Sequence, residues 1–111
     1  MLPEDVKRYT REISRVLGVG GRCLISFFLL NDESKRLMTE KKSAMDFPHE
    51  YGTYRIYNRR VPENAIAYEE SYALELISKN SLRVAEPIHY GSWCGRTNFL
   101  SYQDVIVAFK H

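Results

Sequence analysis

Residues 12–30 read EISRVLGVGGRCLISFFLL. The stretch joins the end of an amphipathic pattern to a glycine pair and then to an apolar run broken only by Ser26. Working upstream, Val6, Tyr9, Ile13, Val16 and Leu17 recur at helical spacing. Pro3 suits a first helical turn, and Glu4 and Asp5 place negative charge at the positive end of the helix dipole. Gly18 is expected as the left-handed stop. Cys23–Leu30 does not alternate, which predicts a strand buried on both faces of a sheet covered by helices on each side. A buried helix is the rival reading. Gly20-Gly21 before the run and Asn31-Asp32 after it favour the strand.

Downstream, Asn31 or Asp32 is placed to cap a short helix reaching about Glu40. Residues 42–67 lack a clear period: Phe47–Gly52 reads as loop, Thr53–Tyr57 as a short strand, and Pro62-Glu63 as a break. A segment this long without firm structure is usually a functional cover. Glu69–Lys79 is a second amphipathic helix, with Tyr72, Ala73, Leu76 and Ile77 along one side and Asn80 as its left-handed terminator. Leu82–Tyr90 alternates, but Glu86 and Pro87 send it to a sheet edge. Gly91–Tyr102 is a loop carrying Trp93, Cys94, Arg96 and Phe99. Val105–Phe109 is wholly apolar and should be interior.

These elements fit one α/β domain over residues 1–111, an ordinary domain size. With 44% hydrophobic and 27% charged residues the composition is globular. A formal charge of +2 gives no field strong enough to predict nucleic-acid binding. No apolar run approaches the length of a membrane span, and Met1–Val19 is too charged for a signal peptide. Two cysteines make neither a disulfide framework nor a zinc site, so a cytoplasmic setting is expected.

The ordered set EISRVLGVGGRCLISFFLL, YEESYALELISKNSLRV, YGSWCGR and SYQDVIVAFK resembles the carboxy-terminal half of a class I S-adenosylmethionine-dependent methyltransferase. The likeness covers nearly the whole chain. It implies a partial Rossmann-like sheet of mixed direction, with family strands 5, 7 and 6 flanked by helices and strand 7 between the other two. It also implies a small-molecule acceptor and S-adenosylmethionine in the full-length parent. The chain departs from the family with Gly18-Val19 in place of Lys-Pro and Asn80 in place of glycine. The family's Gly-rich cofactor-binding half has no counterpart here. Met1 then reads as an internal methionine or a truncated frame, and the chain alone is expected to hold no cofactor and to be inactive. Gly18-x-Gly20-Gly21 does not replace the missing loop. A dinucleotide loop runs from strand to helix, and this one runs from helix to strand.

Methyl transfer from a sulfonium relies on in-line positioning, so residue type alone names no catalytic group. Position is more informative, because ligands in open α/β sheets lie beyond the carboxyl ends of the parallel strands. The substrate-binding candidates there are Asn31, His49, Tyr51, Tyr54, Tyr90 and Trp93. Each aromatic could instead pack locally under its loop. His49 has a near-neutral titration to offer, whereas His89 and His111 have no partners at metal-ligand spacing. Arg55, Arg59 and Arg60 form a small basic group suited to solvent or to an anion. Cys23 reads as a buried small hydrophobe and Cys94 as a more exposed thiol. A different class of function also fits. If Cys23–Leu30 lacks a neighbour on one side, its open edge invites a homo-oligomer, and the chain would be a non-catalytic homodimeric interaction module. A small-molecule binding module using the aromatic loops is a further alternative.

Overall fold

The computed structural model of the protein describes residues 2–61, 65–97 and 101–111; the expected break at Pro62-Glu63 and the loop residue Phe99 lie outside them. Along the chain run α1 (Pro3–Val16), β1 (Arg22–Leu30), α2 (Asp32–Thr39), β2 (His49–Glu50) and β3 (Tyr54–Ile56). They are followed by β4 (Ile66–Glu69), α3 (Glu70–Lys79), β5 (Leu82–His89) and β6 (Asp104–Lys110). The strands form a six-stranded sheet in the order β2-β3-β4-β1-β6-β5. Strand β6 is antiparallel to both β1 and β5, while β4 is parallel to β1. The fold is therefore α/β with a mixed sheet. As the apolar run and Pro87 imply, β6 is interior and β5 is an edge strand.

Helices α1 and α3 cover one face. Cross-strand partners point to the same side of a sheet, so the register of β1 with β6 sets Ile25 and Ile106 together on this face. Phe27, Leu29 and Leu82 join them in one core with Val6, Ala73 and Ile77 of the helices. Helix α1 is turned from the expected face, leaving Tyr9 46% and Val16 67% exposed. Thr10 and Ser14 take their places. The Thr10 hydroxyl satisfies itself on the Val6 carbonyl (2.7 Å), and Ser14 receives Lys110 Nζ from β6 (2.9 Å to Oγ).

The other face departs from expectation. The sequence suggests burial of β1 on both sides, yet Leu24 is 68% exposed and Ser26 is exposed beside it. Their partners Val107 and Val105 are only half-buried. Only the far end of this face is covered, where Leu30, Leu37, Phe47, Ala67, Trp93 and Cys94 form a second core. Cys94 is thus buried, not exposed, while Cys23 is partly open.

The open edge of Cys23–Leu30 also needs correction. The 42–67 segment supplies β2, β3 and the first half of β4, which runs on through Glu69, the residue expected to open the second helix, and β4 pairs with β1 at Phe28–Leu30. Among the described residues, Arg22–Phe27 pair with a strand only on the β6 side. The terminators shift as well. Helix α1 ends at an extended Leu17, and Gly20 holds the positive φ of 84°. After α3 the left-handed residue is Ser81 (φ 61°), with Asn80 at φ −102°. Among the described residues no helix is long and apolar enough to cross a membrane.

Candidate functional site at the carboxyl end of the sheet

Strands β1, β4 and β5 run in the same direction and end on the same side, where antiparallel β6 begins. The residues just past their ends, Asn31, Glu70 and Tyr90, therefore converge with Asp104 at the head of β6. Asp104 is fully buried. Its Oδ2 accepts from the Leu29 N–H (2.7 Å) and Trp93 Nε1 (2.9 Å). Its Oδ1 accepts from the Gly91 N–H (2.7 Å) and Arg96 Nη1 (3.2 Å). Burial pushes the Asp104 carboxyl above its ordinary value, against the pull of these donors and of the Arg96 guanidinium. Each carboxylate oxygen meets two donors, which favours the ionised form over a carboxyl whose proton would find no acceptor.

Arg96 is the cation of the cluster, with a side chain only 7% exposed. It pairs with Glu33 of α2 as well as Asp104, and its guanidinium lies over the Tyr90 ring, 4.7 Å from the centroid. Tyr90 in turn donates its hydroxyl to Glu70 Oε1 (2.5 Å), the oxygen that also accepts from Asn31 Nδ2 (3.2 Å). Burial, and then the bond to Glu70, push the Tyr90 phenol up to about 12, so it remains a donor through the neutral range. Asn31 is fixed by the capping box of α2: its Oδ1 accepts from the Ser34 N–H, while its own N–H donates to Ser34 Oγ (both 2.9 Å).

Of the six candidates, the structure brings Asn31 and Tyr90 together through Glu70. Trp93 is wholly enclosed, packed edge-on against Phe28 (5.5 Å between centroids) and Phe47 (5.6 Å). It supports the cluster from behind and has no surface to offer a ligand. His49 lies on β2 opposite Ile56. Tyr51 stacks on Tyr54 (5.4 Å), which meets Tyr68 (6.0 Å). These three occupy the β2–β3 rim of the sheet, where Arg55 is paired with Glu50. Glu70, Arg96 and Asp104 escape a reading by residue type. Glu70 looks like a helix-dipole residue, while a charged residue opening an interior strand was the available hint at Asp104.

A cleft of about 600 Å³ opens on the uncovered face, lined by Ser26, Phe28, Met45, Ala65 and Tyr102 among others. The Gly18–Gly21 turn is not a cofactor cradle. Its Gly20 N–H donates to the Lys110 carbonyl (2.9 Å) and its Gly21 N–H to the Gly18 carbonyl (2.8 Å). This turn therefore offers no cradle to a nucleoside methyl donor. Among the described residues no three His, Cys, Asp or Glu side chains surround a possible metal ion. No family model matches the chain, and no solved structure matches it.

Proposed function

We propose that this chain is the carboxy-terminal part of an S-adenosylmethionine-dependent methyltransferase domain whose acceptor is a small molecule. The observation that carries the reading is the threading of β6 antiparallel between the co-directional strands β1 and β5. That is the arrangement the sequence resemblance implies for family strands 5, 7 and 6 of a Rossmann-like sheet. The uncovered apolar face supports it. Doubly wound sheets carry helices on both faces, and here the layer opposite α1 and α3 is represented only at one end. On this reading the missing layer and the donor site belong to the other half of the domain, which must join this one without pairing at the Phe28–Leu30 flank of β1, since β4 occupies it. This half supplies the strand ends that position the acceptor.

The test is direct. The coding DNA immediately upstream should continue in frame into a strand, a glycine-rich loop and a helix. Calorimetry on the 111-residue chain should show no heat with S-adenosylmethionine, and the longer product should bind it. Micromolar donor binding by the short chain, or an upstream frame lacking that pattern, overturns the proposal.

A second reading, a non-catalytic homodimeric module, draws on Leu24, whose side chain stands 68% exposed on a central strand. Together with the half-buried Val105 and Val107 it gives a second copy an apolar face to cover. The Arg22–Phe27 edge, which among the described residues pairs with a strand only on its β6 side, lies beside that face. Light scattering should then show a dimer that Leu24→Glu converts to a monomer without loss of secondary structure. A monomer at high concentration excludes this reading.

A further inference from the structure

Between Leu2 and Leu24 five large apolar side chains stand exposed: Leu2, Tyr9 and Val16 along α1, Val19 in the turn after it, and Leu24 on β1. Leu2 and Val16 each lie seven residues from Tyr9, so the three form one stripe. At 100° per residue the stripe is about a quarter turn from the buried Val6, Thr10 and Ser14, on a flank of the helix. Asp5 and Glu12 adjoin it and are neutralised in place by Arg8 and Arg15. Burial chiefly, then Tyr72, Tyr54 and Asp5, raise the Tyr68 phenol, which puts the Asp5 flank of α1 on the β4 side. Ser14, on the opposite flank, meets Lys110 of β6.

Beneath the stripe β1 is short of a partner. The Leu29 N–H and the Gly21 carbonyl bond toward β6, to Asp104 and to the Lys110 N–H. Backbone direction alternates along a strand, so Arg22, Leu24 and Ser26 present their N–H and C=O groups to the other edge. Among the described residues β4 takes up that edge only from Phe28 onward, and Arg22, Leu24 and Ser26 are all exposed. The two features lie at one height. Tyr9 is about 10 Å back from Val16 along the helix, and Leu24 is about 10 Å beyond Gly21 along the strand.

We propose, resting on the homodimer reading above, that the second copy binds this edge and this stripe about one two-fold axis. Strand β1 pairs antiparallel with its copy, Leu24 opposite Leu24 and Arg22 opposite Ser26. Helix α1 packs antiparallel on its copy, Tyr9 against Tyr9 and Leu2 against Val16. Both sets are self-complementary, as a two-fold contact requires. The axis brings Arg22 to a serine rather than to its like, and sets the helix dipoles antiparallel. The chain turns out at Gly20, where φ is 84°, before the copy's strand would run into β4.

Sedimentation equilibrium on the 111-residue chain should show a dimer. Leu24→Glu cannot separate this contact from packing on the open face, but Tyr9 and Val107 can. Tyr9→Glu opposes two like charges across the axis and should weaken the dimer about thirtyfold or more. Val107→Glu on the open face should change it less than about threefold. Mixing Tyr9→Glu with Tyr9→Lys should restore a dimer containing one of each. If Tyr9→Glu fails to fold, Val16→Lys should weaken the dimer in its place. The Leu24 and Ser26 amide protons should exchange slowly in the dimer and fast in the Tyr9→Glu monomer. A dimer lost with Val107→Glu and kept with Tyr9→Glu, or one whose Leu24 and Ser26 amides exchange fast, overturns this contact and leaves the homodimer reading standing. A monomer at high concentration overturns both.

Discussion

Replacing Asp104 by alanine should destabilise the protein by about 3–5 kcal/mol, the range seen when one partner of a buried charged pair is removed. The carboxylate terminates four donors, two of them backbone N–H groups that no other described group satisfies. Leu29 lies past the end of the β1–β6 ladder, whose last pair is Phe27 with Asp104. The Asp104 side chain therefore does for Leu29 what a further residue of β6 would do. Without it, Trp93 Nε1 and the Gly91 and Leu29 N–H groups are buried unpaired, at about 1–3 kcal/mol each before relaxation. Asp104→Asn keeps the volume and half the accepting capacity, so it should cost less. Urea unfolding followed by circular dichroism gives both values. A loss under about 1 kcal/mol for the alanine variant would show that the carboxylate is not the hub its four contacts describe.

A carboxylate at Phe27 should prevent folding, whereas one at Phe28 should only weaken it. Phe27 is 5% exposed in the core beneath α1 and α3, with its ring edge-on to Tyr68 (6.2 Å). Phe27→Asp loses an aromatic side chain, at about 3–5 kcal/mol. It also strands a charge whose burial costs several kcal/mol more. That sum rivals the whole stability of an ordinary domain. Phe28 points to the opposite face, is only half-buried, and packs on Phe47 (5.3 Å) and Trp93 (5.5 Å). A carboxylate there reaches water, so the loss should be nearer the roughly 1.5–3 kcal/mol of burial that the ring provides. Dispersed amide NMR spectra for Phe28→Asp and collapsed ones for Phe27→Asp are expected. A folded Phe27→Asp variant would contradict the core described above.

How much of this was legible beforehand depends on whether a feature is local. The start of α1, a cap at Asn31 or Asp32 (the structure uses Asn31), the α3 period and the edge position that Pro87 forces on β5 are written within a few residues, and the structure follows them. Strands β2 and β4 were not legible, because two to four residues are too few to show alternation and their pairing defines them. The exposed Leu24 was hidden for another reason. An apolar run signals burial without saying what covers it, and here α1 and α3 cover one face while α2 reaches only the far end of the other. At the site, Asn31 and Tyr90 could be found from strand ends alone. Glu70, Arg96 and Asp104 could not, because their meaning lies in contacts spanning up to 75 residues of sequence.

The central place of β6 bears on how the chain assembles. Among the six described strands it is the latest in the chain, yet it separates β1 from β5, with Arg22 paired to Phe109. Until residues 104–110 leave the ribosome, β1 and β5 have no common neighbour, and the apolar stretch from Cys23 to Leu30 must wait with that flank unzipped. Closing such distant pairs is slow, and a waiting hydrophobic edge is a target for wrong partners. A nascent chain stalled before Asp104 would be a substrate for chaperones.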